Sequence, residues 1–113
     1  MNLALIGSAA LIVITAAIHS IRGERRIMSA VAAIDPAVLN PRLRRIIHFS
    51  WHLESLFMVL TAVTVAWPGS PIALVRLIGG TCLVLGLYVL WKSRGGHVSG
   101  PLFTGAGLLA LIG

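Results

Sequence analysis

The sequence predicts an all-α integral membrane protein, a four-helix bundle of three full spans and a short fourth helix, in one domain over residues 1–113. Three observations predict it. The chain is 58% hydrophobic and only 11% charged, a composition that would leave a soluble domain of this size with too much exposed apolar surface. Its apolar residues sit in long blocks, each about the ~20 residues that cross a ~30 Å hydrocarbon layer. The basic residues, finally, gather in the connections between those blocks.

The first block, residues 2–21 (NLALIGSAALIVITAAIHSI), has no Lys or Arg before it and is longer than the core of a secretory signal, so it reads as a retained span. Gly23 is positioned to end it in a left-handed conformation. From Glu24 to Ile34 the apolar residues Ile27, Val31 and Ile34 share one side, as in a short helix lying in the membrane interface. Asp35-Pro36 and Asn40-Pro41 each pair a capping side chain with a proline at the first helical position. The second helix therefore starts at Pro41, a turn ahead of its span at residues 46–67.

Trp67-Pro-Gly-Ser-Pro71 forms a tight turn with Trp67 at headgroup level and Ser70 as the cap of the next helix. The third span covers residues 72–91 and ends at Gly95-Gly96. The fourth segment, Pro101 to Gly113, offers 13 residues, roughly 20 Å of helix at 1.5 Å per residue; it thins the bilayer, begins earlier near His97, or stops short. Counting Ser99 and Gly100 as its opening gives a helix over 99–113.

Eight basic residues, Arg22, Arg25, Arg26, Arg42, Arg44, Arg45, Lys92 and Arg94, lie in two connections on one side, against Arg76 alone near the other. The positive-inside rule puts those connections in the cytoplasm and both termini outside, in a multi-pass protein of the cell's inner (plasma) membrane. Topology thus accounts for most of the +6 net charge. Anionic lipid headgroups are the natural partners of Arg22, Arg25, Arg26, Arg42, Arg44 and Arg45. Nucleic acid is not, because the charges hug the span ends.

Helix association in lipid depends on small residues. They occur at Gly7, Ser8, Ala9, Ala10, Ala16 and Ala17, at Gly79, Gly80, Cys82 and Gly86, and at Gly105, Ala106 and Gly107. The Cys82 and Gly86 spacing suits either an internal contact or a homo-oligomer. Cys82, the lone cysteine, reads as a small core residue.

The chemistry lies in His19, Glu24, His48, His52, Glu54 and His97, which connectivity draws toward one leaflet. His48 and His52 are four apart on one helix face, the spacing by which a helix offers two imidazoles to one metal. His19 closes a polar stripe with Ser8 and Thr15, and His97 sits in the connection before the fourth helix. Imidazole with carboxylate suits zinc, copper, iron or nickel, and the lack of nearby thiolates argues against a soft-metal or iron–sulfur site. For His19 or His97 alone, a place among headgroups is the simpler reading.

Glu54 falls about 12 Å below Ile46 at 1.5 Å per residue, where an unpaired charge costs several kcal/mol. Its face, shared with Ser50 and Thr61, points roughly 120° from the histidine face at 100° per residue. Two polar faces predict a central position for the second helix. Glu54 itself is either a protonated, hydrogen-bonded group or a carboxylate that ligates, carries a proton, or pairs with a histidine or arginine.

The run His19-Ser-Ile-Arg-Gly-Glu-Arg-Arg26 with the later Trp51-His52 pair resembles a set of small four-helix bacterial inner-membrane proteins that share a His-Ser-x-x-Gly-Glu-Arg run and a Trp-His pair. The resemblance covers mainly the first half of the chain. It implies a bacterial inner-membrane setting, lends weight to His19, Glu24 and His52, and implies no activity.

Three functions fit these residues. The leading one is a cytoplasmic-leaflet site for a transition metal ion or b-type haem, for redox or sensing, with His52 and His19 or His48 and His97 as axial pairs. The second is a small oligomeric transporter or channel that moves a proton or cation through Glu54 and His52. The third is a non-catalytic scaffold or subunit. An enzyme has least support, for no catalytic triad order or phosphate-cradling loop is present.

Overall fold

The computed structural model describes residues 2–113, and among them every regular element is helical. The elements are α1 (Leu3–Arg22), a π-helical turn (Gly23–Ile27), α2 (Met28–Ala32), α3 (Pro41–Ala66), α4 (Ile72–Ser93) and α5 (Ser99–Ile112). Three helical stretches, Leu3–Ala32, Pro41–Ala66 and Ile72–Ser93, are long and apolar enough to cross a membrane, and α5 is a shorter apolar helix. Large apolar side chains cover the outside, among them Phe57, Leu77, Val84 and Leu87. A bilayer is the solvent that accepts such a surface.

The helices form a flattened bundle of 52 × 31 × 19 Å. Side by side, α3 packs on α1, α1 on α5 and α5 on α4, whereas α3 and α4 touch only slightly. The inner helices are therefore α1 and α5, not the second long helix as its two polar faces predict. Small residues explain the difference. Ser8 donates from its buried hydroxyl to the Ala106 carbonyl of α5 at 2.7 Å, and a Cβ on Gly7 would meet Leu109 of α5 at 3.2 Å, while the far end of α1 leans on α3. The second polar face of α3 borders a cleft instead of another helix.

The tightest packing joins α4 to α5. A Cβ on Gly107 would stand 2.5 Å from the Leu83 nitrogen and 2.7 Å from the Gly79 carbonyl oxygen, and one on Gly86 would strike Thr104. Buried Cys82 lies in the same core as Ala106 and Ala110. The Cys82 and Gly86 spacing thus serves an internal contact.

Several termini follow their caps. Asn40 accepts from the Leu43 amide with Pro41 at the first helical position, and Asp35 accepts from the Ala37 amide in the turn before it. At the end of α4, Arg94 (φ 52°) and Gly95 (φ 79°) take the left-handed conformation. Two expectations fail. Ser70 does not cap α4; its hydroxyl donates back to the Thr64 carbonyl and closes the end of α3.

Nor does Gly23 end α1, since it is right-handed (φ −58°, ψ −49°) and the helix runs on through the π-turn into α2. The segment after Gly23 is a continuation of the first helix rather than a separate interfacial one. Gly23 is needed for space, because a Cβ there would lie 2.5 Å from two indole carbons of Trp51 and closer still to Nε1. Arg44 holds the end of this extension by donating to the carbonyls of Ala32 and Ile34.

Candidate metal centre

Both basic connections lie at the end of the bundle opposite the turn between α3 and α4, and the six ionisable residues singled out above are all near that end. They divide into two groups on different faces of α3.

The first group joins the π-turn to α3. His48, His52 and Ser55 stand at i, i+4 and i+7 on one face of α3, and Ser20 and Glu24 stand four apart on the helix that faces it. His48 Nε2 and His52 Nε2 each lie 2.7 Å from the same Glu24 oxygen, Oε2. The two imidazole rings are tilted by 55° with centroids 5.2 Å apart, so their nitrogens converge from different directions.

Behind His52, the Ser20 hydroxyl donates to Ser55 at 2.6 Å and lies 3.0 Å from His52 Nδ1. The Glu24 carboxylate can only accept, so both Nε2 atoms face it as N–H donors, and an ion bound there would take the place of those protons. The Ser20 contact meanwhile fixes the outer nitrogen of His52, as partners of ligating histidines do elsewhere.

The ligand atoms of Glu24, His48 and His52 all lie within 4.8 Å of one another. Ligands on a tetrahedral ion at about 2.0–2.1 Å sit roughly 3.3 Å apart, so a small outward shift of the Glu24 carboxylate admits an ion. The side chains are about half exposed, at 52% for Glu24, 48% for His48 and 39% for His52. A bound ion would therefore keep water positions open. Glu24 is the only carboxylate in the group and arginines surround it, so coordination rather than field strength would have to hold a cation.

The second group borders a cleft of about 580 Å³ among α1, α3 and the approach to α5. Trp51, Glu54 and Met58, at i, i+3 and i+7, form its α3 wall, so Glu54 points away from the histidine face as the helical angle predicts. The His19 ring stacks on Trp51 with centroids 4.3 Å apart and planes within 2°. The Trp51 indole N–H donates to the His19 carbonyl at 2.9 Å, across the gap that Gly23 leaves open. Glu54 Oε2 lies 3.4 Å from His19 Nε2, yet that buried nitrogen has no hydrogen-bond partner. His97 also borders the cleft, its Nδ1 engaged by the hydroxyl and amide of Ser99.

Of the six residues, the structure thus gathers Glu24, His48 and His52 into a cluster that could hold a metal ion, and places His19, Glu54 and His97 together around the cleft. Ser20, Ser55 and the packing role of Trp51 escape a reading of the sequence, although the i, i+4, i+7 pattern of His48, His52 and Ser55 is a signal for one of them. Comparison with protein-family models, with curated proteins and with solved structures found no match, so function rests on this geometry.

Proposed function

We propose that the protein is an integral membrane metal-binding protein whose Glu24, His48 and His52 hold a divalent transition metal at the cytoplasmic face of a bacterial inner membrane, with both chain termini outside. One observation carries the reading: two imidazole nitrogens converge on a single carboxylate oxygen while Ser20 ties the outer nitrogen of His52. Two imidazoles and one carboxylate suit zinc, iron, nickel or copper. Three protein ligands with open positions belong to sites that exchange ligands or metal, in sensing or redox, rather than to closed structural sites.

The same geometry favours an ion over a haem. His48 and His52 are both turned to Glu24, and the axial partners that connectivity suggests for them, His97 and His19, border the cleft instead. Transport through Glu54 with His52 has no shared contact to support it, because Glu54 faces His19. Arg44 is engaged with the carbonyls of Ala32 and Ile34, and the other arginines at this end are the ones that would meet anionic headgroups.

The test is elemental analysis and a visible spectrum of protein purified in detergent, followed by titration with Co(II). Near-stoichiometric metal and a cobalt ligand-field spectrum are expected, both lost in the joint His48→Ala, His52→Ala variant. No uptake by the folded wild-type protein would leave the three residues as a hydrogen-bonded tie between helices. A haem absorption band would replace the ion with a haem.

A further inference from the structure

The cleft beside the metal-ligand set has the lining of a binding site of its own. Arg22 and Arg26, four apart on one helix, line it with His19 and His97, and the apolar Met58, Leu102 and Phe103 line it too. Neither guanidinium forms an ion pair among the described residues; the three pairs present all join histidine to glutamate. Glu54 is the one carboxylate in the wall, so two permanent positive charges face a single acidic group.

His19 strengthens the case. A buried imidazole nitrogen without a partner is costly, and this ring is not free to turn away, being stacked on Trp51 and fastened through its own backbone carbonyl. Its Nε2, 3.4 Å from Glu54 Oε2, is left as an unused hydrogen-bonding group just behind the cleft wall. About 580 Å³ lies within the ~300–1,000 Å³ of ligand pockets, which are commonly apolar with a few convergent polar groups.

The geometry points to a site for one anionic amphiphile, its phosphate-type head between Arg22, Arg26 and the cleft histidines and its hydrocarbon chain along Met58, Leu102 and Phe103. The head chemistry is that of a phosphate monoester, whether on a membrane lipid or free in solution, and the apolar length of the cleft selects the lipid. Guanidinium forks bind phosphate through paired charge-assisted hydrogen bonds. This site is separate from the metal ligands and does not rest on them.

Trp51 is in the cleft wall, so its fluorescence reports occupancy once Trp67 and Trp91 are replaced by phenylalanine. That protein is titrated in detergent with phosphatidic acid, phosphatidylcholine and inorganic phosphate. Saturable change with phosphatidic acid is expected, at least roughly tenfold tighter than with the other two. Arg22→Gln with Arg26→Gln should weaken it about tenfold or more, the scale of losing a hydrogen bond to a charged group. The remaining basic residues of both connections keep the orientation signal.

Leu102→Phe with Met58→Phe, which narrows the apolar part without adding a second indole, should block the lipid while circular dichroism shows the helices intact. Arg76→Gln, outside the cleft lining, should leave lipid binding unchanged. Equal response to phosphatidylcholine, equal affinity for free phosphate, or an unaltered titration in both the arginine and Leu102 variants would overturn the proposal.

Discussion

Replacing Gly23 with alanine should loosen the α1–α3 contact although alanine is the better helix former. The backbone at Gly23 is ordinary right-handed helix, so the new methyl introduces no strain of its own. It does land on the Trp51 indole, 2.5 Å from Cδ1 and Cε2, and one of the two must move. If Trp51 swings out, the protein loses the indole hydrogen bond to His19, about 1 kcal/mol, and the stack on the His19 ring, about 1 kcal/mol more.

If the helices separate instead, overpacking costs about 1–3 kcal/mol. The two routes cost about 2 and about 1–3 kcal/mol, against which alanine's helix propensity returns roughly 1 kcal/mol. Gly80→Ala supplies the control, because a Cβ there meets nothing within 4 Å and only the propensity gain remains. The two alanine variants share the propensity gain and should therefore differ by about 1–3 kcal/mol in unfolding by sodium dodecyl sulfate from mixed micelles, followed by circular dichroism. If they unfold at the same detergent fraction, Trp51 does not anchor α1 to α3 as argued here.

Ser20→Ala should weaken metal binding roughly 10- to 100-fold, the usual cost of losing an outer hydrogen bond to a ligating histidine, as read by competition with a chromophoric chelator. Metal affinity should fall steadily from about pH 8 to about pH 5, since protons compete for the imidazole nitrogens; an affinity flat across that range would exclude histidine ligation. Ser8→Ala removes the buried bond to Ala106 and should destabilise the α1–α5 contact by roughly 0.6 kcal/mol and at most about 1.7 in the same detergent assay. Arg44→Ala frees the carbonyls of Ala32 and Ile34 and should raise amide hydrogen exchange over residues 28–40 while exchange within α4 stays as it was.

Span placement could be read from the chain because it depends on composition summed over ~20 residues, and Asn40-Pro41 marked the start of α3 because a cap and its proline act within one turn. Gly23 was misleading for a reason of the same kind. Locally, a glycine after a helix signals a left-handed end, and only the indole arriving from α3 shows that the missing side chain is what matters. Helix periodicity put His48 and His52 on one face and Glu54 on another. Which neighbours those faces meet depends on α3 lying at the edge of the bundle against α1.

Alone, then, the amino-acid order determined that this chain makes helices of membrane length, with its basic residues and its histidines and acids toward one end. Those are properties of hydropathy and of 3.6-residue periodicity, both set within a single segment. Pairing Glu24 with His48 and His52, and His19 with Glu54 and the cleft, was decided by tertiary packing. The order of helices across the bundle follows from close contacts between small residues far apart in sequence, and only that order brings one carboxylate oxygen within reach of two imidazoles.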